Sequence, residues 1–190
     1  MLFAERYKSE LARAIDSIDL GRVGAAIELL ARAREENRRI FVFGNGGSAA
    51  TASHFATDLV KGASFGRAKR FRILALTDSL STLTAYSNDV GYDCVFAEQL
   101  KNFAEPGDVV IAVSGSGNSP NVLRAVEYAN SIGCRTIGLS GRDGGALGKL
   151  AELNLHVAHS HMGRIEDGHM IILHMIGYYF MEEQQLEAGA

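Results

Sequence analysis

Three features are scarce or absent in this sequence: an excess of basic residues, a cysteine framework and a long apolar run. Lys and Arg number 19 against 22 Asp and Glu, giving a net charge of -3, whereas binding to a nucleic-acid backbone requires a basic face. The two cysteines, Cys94 and Cys134, have neither the density of a disulfide framework nor the spacing of a metal site. We therefore expect no nucleic-acid partner and a reducing, cytoplasmic location.

Signals for membranes and for domain boundaries are missing as well. No apolar run approaches the ~20 residues that cross a bilayer, and the N-terminal segment carries charges throughout, unlike a signal peptide. The two prolines, Pro106 and Pro120, fall where expected elements begin, and no linker divides the chain. We expect no membrane partner and a single domain over residues 1–190.

What the sequence does contain is a regular alternation of apolar β-type runs and helical patterns. An N-terminal helical pair is predicted within 1–37, with helices over 2–17 and 22–36. Strands are predicted at 40–43, 71–77, 109–113, 136–140 and Leu153–Val157, and helices over 48–61, 79–87, 93–103, 119–132, 144–150 and 164–184. This order is typical of βαβ units on a parallel sheet covered on both faces. We predict an α/β fold of three layers, α/β/α, with a five-stranded parallel sheet over 38–190.

Two glycine-rich loops follow predicted strands, and they are the most informative feature of the chain. The first, GNGGS at 44–48, contains Asn45, Gly46, Gly47 and Ser48 and leads into a helix of small residues. The second, SGSGNS at 114–119, adds the hydroxyls of Ser114, Ser116 and Ser119 around Gly115. Backbone N–H groups at a helix N-terminus form a binding site for phosphate.

The two loops favour a phosphate monoester over a nucleotide. Neither contains the G-K-[S/T] of a P-loop, and the dinucleotide spacing G-x-G-x-x-G is absent from both. Pro120 suits the first position of a helix with Ser119 as its N-cap. The alternative is a well-capped turn without a ligand.

Ionisable residues occur on two helices that are otherwise small or apolar. His54 and Asp58 are spaced i, i+4, so they can share a proton, bind one metal or form a surface pair. Glu166 and His174 lie at i, i+8 on the last helix, which is apolar almost all round and therefore buried. His174 is alternatively a hydrogen-bonded core histidine. Asp167 and His169 compete for the same role, whereas His156, His159 and His161 are interpreted as loop residues.

These segments together resemble the sugar isomerase (SIS) family, and within it the phosphoheptose isomerases. The resemblance covers nearly the whole chain and includes the paired N-terminal helices, both glycine-rich loops, HFATDL at 54–59, SND at 87–89, GRDGG at 141–145 and RIEDGHMIILH at 164–174. It implies aldose–ketose isomerisation of a phosphorylated sugar, most directly D-sedoheptulose 7-phosphate to D-glycero-D-manno-heptose 7-phosphate. It also implies a homotetramer with sites near subunit boundaries.

The resemblance assigns roles to individual residues. Ser114, Gly115, Ser116 and Ser119 would hold the sugar phosphate, and Asn45, Gly46, Gly47, Ser48, Asn88, Asp89 and Glu166 would line the substrate site. Zn²⁺ would be held by His54, Asp58, Glu166 and His174, with Asp58 and His174 as the catalytic proton-transfer pair.

Two positions depart from the family pattern. Asp58 stands where the family has Glu, and Glu166 stands where it has Gln. Carboxylates are ordinary zinc ligands, so the expectation of a metal is unchanged. Two other functions remain open: a non-catalytic SIS regulator that binds a phosphosugar or a replication initiator, and an isomerase of a different sugar phosphate.

Overall fold

The computed structural model describes residues 2–188, and of 183–188 the backbone alone. The predicted domain therefore includes three residues, Met1, Gly189 and Ala190, that lie outside the described part of the chain. Helices α1 to α4 span Phe3–Asp16, Leu20–Glu35, Gly47–Thr57 and Leu80–Asp89, and helices α5 to α8 span Val95–Phe103, Pro120–Ser131, Leu147–Leu150 and Met162–Ala188. Strands β1 to β5 span Arg39–Gly44, Arg72–Ala75, Val109–Ser114, Arg135–Gly141 and Leu153–Val157.

The five strands form one parallel sheet in the order β2-β1-β3-β4-β5. Successive residues of the central strands bury opposite faces: Ile40 and Val42 pack with α1, α2, α3 and α8, whereas Phe41 and Phe43 pack with α5 and α6. A sheet covered on both faces must be apolar along its whole length, which explains why the central strands lack polar alternation. The predicted three-layer fold with a five-stranded parallel sheet and N-terminal helices is confirmed.

Several predicted bounds differ from the structure: the helix predicted over 144–150 is limited to Leu147–Leu150, and three further differences have a local cause. The helix predicted over 48–61 changes at Asp58 into a π-helical turn, Asp58–Gly62, in which the Ala63 N–H donates to the Asp58 carbonyl at 2.9 Å. Strand β2 is shorter than predicted because it is an edge strand that pairs only with Arg39–Val42 of β1. His156 lies within β5 rather than in a loop, since its register pairs it with Ser140 of β4.

Helices α3 and α8 run side by side in the same direction with a constant offset. A Cβ on Gly47 would lie 2.7 Å from Glu166 Oε1, and a Cβ on Gly177 would lie 3.7 Å from Asp58 Cβ. Both pairs are separated by 119 positions in the sequence, and His54 contacts His174 at a separation of 120. The two helices therefore extend together from one edge of the sheet. Within residues 2–188, none of the helices has the length and apolar character needed to cross a membrane.

Candidate active site

A cavity of about 300 Å³ lies at the carboxyl ends of β1 and β3 and contains most of the predicted substrate residues. In open parallel sheets this edge is where ligands bind. Three helices begin at this cavity: α3 at Gly47, α6 after Ser119, and α8 at Met162. Helix N-termini carry partial positive charge, so their convergence favours an anion. The cavity is lined by Asn45, Gly46, Gly47, Ser48, Ser114, Gly115, Ser116, Ser119 and Glu166, together with Val113 and Met162.

The serine loop places three hydroxyls close together. Ser114 Oγ lies 3.4 Å from Ser116 Oγ and 3.3 Å from Ser119 Oγ. Ser119 occupies the N-cap position of α6, but among the described residues its side chain makes no capping hydrogen bond, so the hydroxyl is not tied to the helix backbone. Gly117 has φ +65°, and a Cβ there would meet the Gly144 carbonyl. The loop therefore keeps its shape through a glycine that no other residue replaces without strain.

Asn45 is fixed by two residues that sequence analysis missed. Its Nδ2 donates to Asn121 Oδ1 at 2.9 Å, and its Oδ1 accepts from Asn121 Nδ2 at 2.9 Å and from the Tyr92 hydroxyl at 2.8 Å. Asn121 is buried at the start of α6. An amide in the first turn after a serine loop was the available signal for Asn121, whereas Tyr92 follows a helix and carries no such signal.

Asn88 and Asp89 are not among the residues that line this cavity. They lie at the C-terminal end of α4, where Asn88 Nδ2 donates to Asp89 Oδ1 at 2.7 Å, and both side chains are exposed. Helix α4 follows the edge strand β2, one strand beyond the β1–β3 cavity. Within one chain, this predicted pair is therefore separate from the other substrate residues.

A second cluster brings His54, Asp58 and His174 together. The Nε2 atoms of His54 and His174 lie 3.0 Å apart, and Asp58 Oδ2 lies 3.4 Å from the first and 3.9 Å from the second. Asp58 Oδ2 is buried and accepts no hydrogen bond from the part of the chain that the structure describes. Asp58 stands at the junction between α3 and the π-helical turn, a distortion that is frequent at functional sites.

The donor set fits a zinc ion. Donors around tetrahedral Zn²⁺ at about 2.0–2.1 Å are separated by about 3.3 Å, and the three separations in the cluster, 3.0, 3.4 and 3.9 Å, bracket this value. The two facing imidazole nitrogens and the unsatisfied carboxylate oxygen can all bind the same cation. Three protein ligands with a fourth position open are typical of a catalytic zinc site.

Glu166 does not join this cluster within one chain, so a single chain brings together three of the four predicted ligands. It is eight residues from His174 on the same helix, which corresponds to about 12 Å along the axis. Its carboxylate instead lies against Gly47 and lines the cavity of the serine loop. A fourth ligand from Glu166 would have to come from another copy of the chain.

The two competing residues on α8 have other partners. Asp167 accepts a hydrogen bond from the Tyr7 hydroxyl at 2.6 Å, which raises the pKa of Tyr7 above its ordinary value. His169 is fully buried, with its Nε2 3.0 Å from the Ser140 carbonyl oxygen, and burial lowers its pKa to about 4. Asp167 therefore holds α8 against α1, and His169 holds it against β4.

Comparison with known proteins agrees with this architecture. The SIS domain family matches residues 4–141. The chain is 45% identical over 160 residues to the phosphoheptose isomerase of Geobacter sulfurreducens, covering 82% of each chain. It is 39% identical to the probable phosphoheptose isomerase of Thermoplasma acidophilum, covering 91% of this chain and 94% of the relative. The solved phosphoheptose isomerase of Neisseria gonorrhoeae superimposes with a TM-score of 0.86 at 33% identity, covering 93% of this chain and 96% of that one. The chain therefore belongs to the SIS domain family and, within it, to the phosphoheptose isomerases.

Proposed function

We propose that this chain is an aldose–ketose isomerase that converts D-sedoheptulose 7-phosphate to D-glycero-D-manno-heptose 7-phosphate. The observation that carries the proposal is the convergence of His54, Asp58 and His174 on α3 and α8. The N-termini of the same two helices line the hydroxyl-rich anion cavity. The relatives named above are isomerases, so the non-catalytic regulator is not favoured.

The serine loop would bind the phosphate. Ser114, Ser116 and Ser119 supply hydroxyls, and the N-termini of α3, α6 and α8 supply positive potential. Phosphate is remote from the reacting carbons, so its binding energy serves to hold the sugar in position. Asn45, fixed by Asn121 and Tyr92, would donate its remaining Nδ2–H to a sugar hydroxyl.

Asp58 and His174 would move the protons. Asp58 would take a proton from C1 of the ketose and return it to C2, through a cis-enediol, while His174 would transfer a proton from O1 to O2 through Nδ1, the ring nitrogen that does not bind the metal. The contacts of the cluster involve Asp58 Oδ2 alone, which leaves its other oxygen to act as the base. Zn²⁺ held by His54, Asp58 and His174 would polarise the sugar carbonyl and position it.

A second copy of the chain would complete the site. Glu166 lines the serine-loop cavity, whereas the His54 cluster lies about 12 Å farther along α8. One ion can contact both only if the cluster of one chain faces the cavity of another, an arrangement that a homotetramer permits. Asn88 and Asp89 of one chain would likewise contact the substrate that is bound in the cavity of another chain.

Subunit mixing tests this arrangement. Chains with Glu166→Ala and chains with Asp58→Asn are each expected to be inactive, and their co-expression should restore about a quarter of wild-type activity per site. Co-expression of two differently tagged Asp58→Asn chains is the control and should restore none. Mixed oligomers that stay inactive would show that the site is not shared between chains.

The reaction itself is tested by a coupled assay with sedoheptulose 7-phosphate. Wild type and Asp16→Asn, which removes a carboxylate from the exposed end of α1, should turn over equally. Asp58→Asn should lose most of its activity. A parallel screen of five- to seven-carbon sugar phosphates distinguishes a heptose isomerase from an isomerase of another phosphosugar. We further propose a cytoplasmic location, which the two buried, unpaired cysteines support.

A further inference from the structure

A second cavity, of about 620 Å³, lies between α1 and the loop that joins β5 to α8. Its volume is about twice that of the serine-loop cavity and falls within the roughly 300–1,000 Å³ of small-molecule sites. No predicted catalytic, substrate or metal residue lines it. The charged and titratable residues around it are Arg6, Glu10, Arg13, His159, His161 and Arg164.

The charges around this cavity are unbalanced. Among the described residues, Glu10 is the one acidic residue of the lining, and its Oε2 is already paired with Arg164 at 2.8 Å. Arg6 and Arg13 pair with no carboxylate of the described residues; Arg6 lies over the Phe3 ring, and Arg13 Nε donates to the Ser9 carbonyl at 3.4 Å. Two guanidinium groups are therefore left without a counter-ion.

Arg164 adds a buried cation at an unfavourable place. Its side chain is 4% exposed, it lies 4.1 Å above the Tyr7 ring, and its Nε has no hydrogen-bond partner among residues 2–182. It occupies the first turn of α8, where the helix dipole already contributes positive potential. Glu10 already pairs with this guanidinium group, so an anion in the cavity would be attracted chiefly by the helix N-terminus and by Arg6 and Arg13.

Two histidines, His159 and His161, also line this cavity. His159 Nδ1 accepts the His161 N–H at 2.9 Å, and His161 Nδ1 accepts the Gly163 N–H at 3.2 Å. Because each Nδ1 is an acceptor, the neutral ring carries its proton on Nε2. Each imidazole therefore has an N–H left to donate, and the lining is rich in donors and poor in free acceptors.

We propose that this cavity is a second anion site, which binds the phosphate group of a small phosphorylated molecule. Arg6 and Arg13 provide the charge, and His159 and His161 provide N–H donors. The buried Arg164, paired with Glu10, completes the lining. The site is separate from the serine loop, so the proposal does not depend on which sugar phosphate is isomerised.

Calorimetric titration of the full chain with inorganic pyrophosphate tests this proposal. The titration uses a Ser116→Ala/Ser119→Ala background, which weakens binding at the serine loop. One binding event per chain is expected, and adding Arg6→Gln and Arg13→Gln should weaken it at least tenfold. Lys8→Gln removes one charge from the same helix away from the cavity and should change the Kd less than twofold.

Two further titrants identify the source of the phosphate. Tighter binding of ADP would indicate a nucleotide, and tighter binding of sedoheptulose 7-phosphate would indicate a phosphosugar. The proposal is overturned if no titrant binds the background protein, as when a neighbouring copy fills the cavity, or if the arginine variants bind as tightly as Lys8→Gln. Circular dichroism of each variant verifies that the fold is retained.

Discussion

His54 and His174 are 120 positions apart in the sequence, yet their Nε2 atoms lie 3.0 Å apart. Only one of two facing nitrogens can donate to the other, and two unprotonated nitrogens repel each other unless a cation lies between them. The Oδ2 of Asp58 lies within 4 Å of both nitrogens. The three atoms are therefore placed so that one metal ion could bind them together.

Purified protein is expected to contain about one zinc per chain, and His54→Ala should lose it. Loss of an outer-shell contact to a metal site costs about 10–100-fold in affinity, so loss of a direct ligand should cost at least as much. Metal analysis after dialysis measures the content. Asp58→Glu keeps a carboxylate and should keep the metal, whereas wild-type metal content in His54→Ala would remove this residue from the site.

His174→Ala should lower kcat by about 10²- to 10⁴-fold, which is the usual contribution of a general acid–base group. His156→Gln is the matched control because its ring contacts the Arg142 carbonyl and takes no part in the cluster. The coupled isomerase assay measures both variants. A His174→Ala enzyme with wild-type kcat would show that another group transfers the proton.

Gly117→Ala should destabilise the protein by about 1–3 kcal/mol and raise KM, because a non-glycine residue at φ +65° is strained and its Cβ would meet the Gly144 carbonyl. Gly24→Ala is the opposite control. Gly24 lies within α2, and a Cβ added there would have no neighbour within 4 Å, so alanine should stabilise the protein by about 0.5–1 kcal/mol. Urea unfolding at one protein concentration compares the two, and equal midpoints would contradict the strain at Gly117.

Stability should fall as the pH decreases from about 6.5 towards 4, partly because of His169. Its pKa is lowered to about 4 in the folded chain against an ordinary value of 6.5, so the unfolded chain binds the proton preferentially between these values. The contribution is fully present above pH 6.5 and decreases by about 2–3 kcal/mol by pH 4.5.

The variant His169→Gln isolates this effect from the carboxylates that titrate in the same range. Glutamine can still donate to the Ser140 carbonyl but has no proton to gain. The loss of unfolding free energy between pH 7 and 4.5 should therefore be smaller in the variant. Identical losses in the two proteins would assign the pH dependence to other groups.

The sequence predicts the strands of the sheet well because the pattern that indicates a strand lies within the strand and its flanking turns. Apolar runs between glycine-rich turns locate the central strands, and β1 and β3 agree with their predicted positions to within one residue at each end. The edge strand β2 is the least accurate, since its length depends on the one neighbour with which it pairs. The π-helical turn at Asp58 also escaped prediction, because its hydrogen bonds span five residues instead of four and an apolar pattern does not register this difference.

The site was predicted only in part, because a list of residue types does not contain the distances between them. The approach of His174 to His54 and Asp58 depends on how α8 packs on α3, which no local pattern encodes. The same packing places Glu166 beside Gly47, about 12 Å of helix from His174. Sequence spacing of i, i+8 was sufficient to show that distance, but the predicted set of four ligands did not take it into account.

The constant offset between α3 and α8 restricts how this protein can change in length. One residue inserted between Glu166 and His174 would rotate everything after it by about 100° and advance it by about 1.5 Å. Glu166 would keep its place at Gly47, while the imidazole would turn away from its counterpart on α3. Insertions and deletions are therefore tolerable in the surface connections but not inside this helix pair, where adaptation to a new sugar must proceed by exchanging side chains.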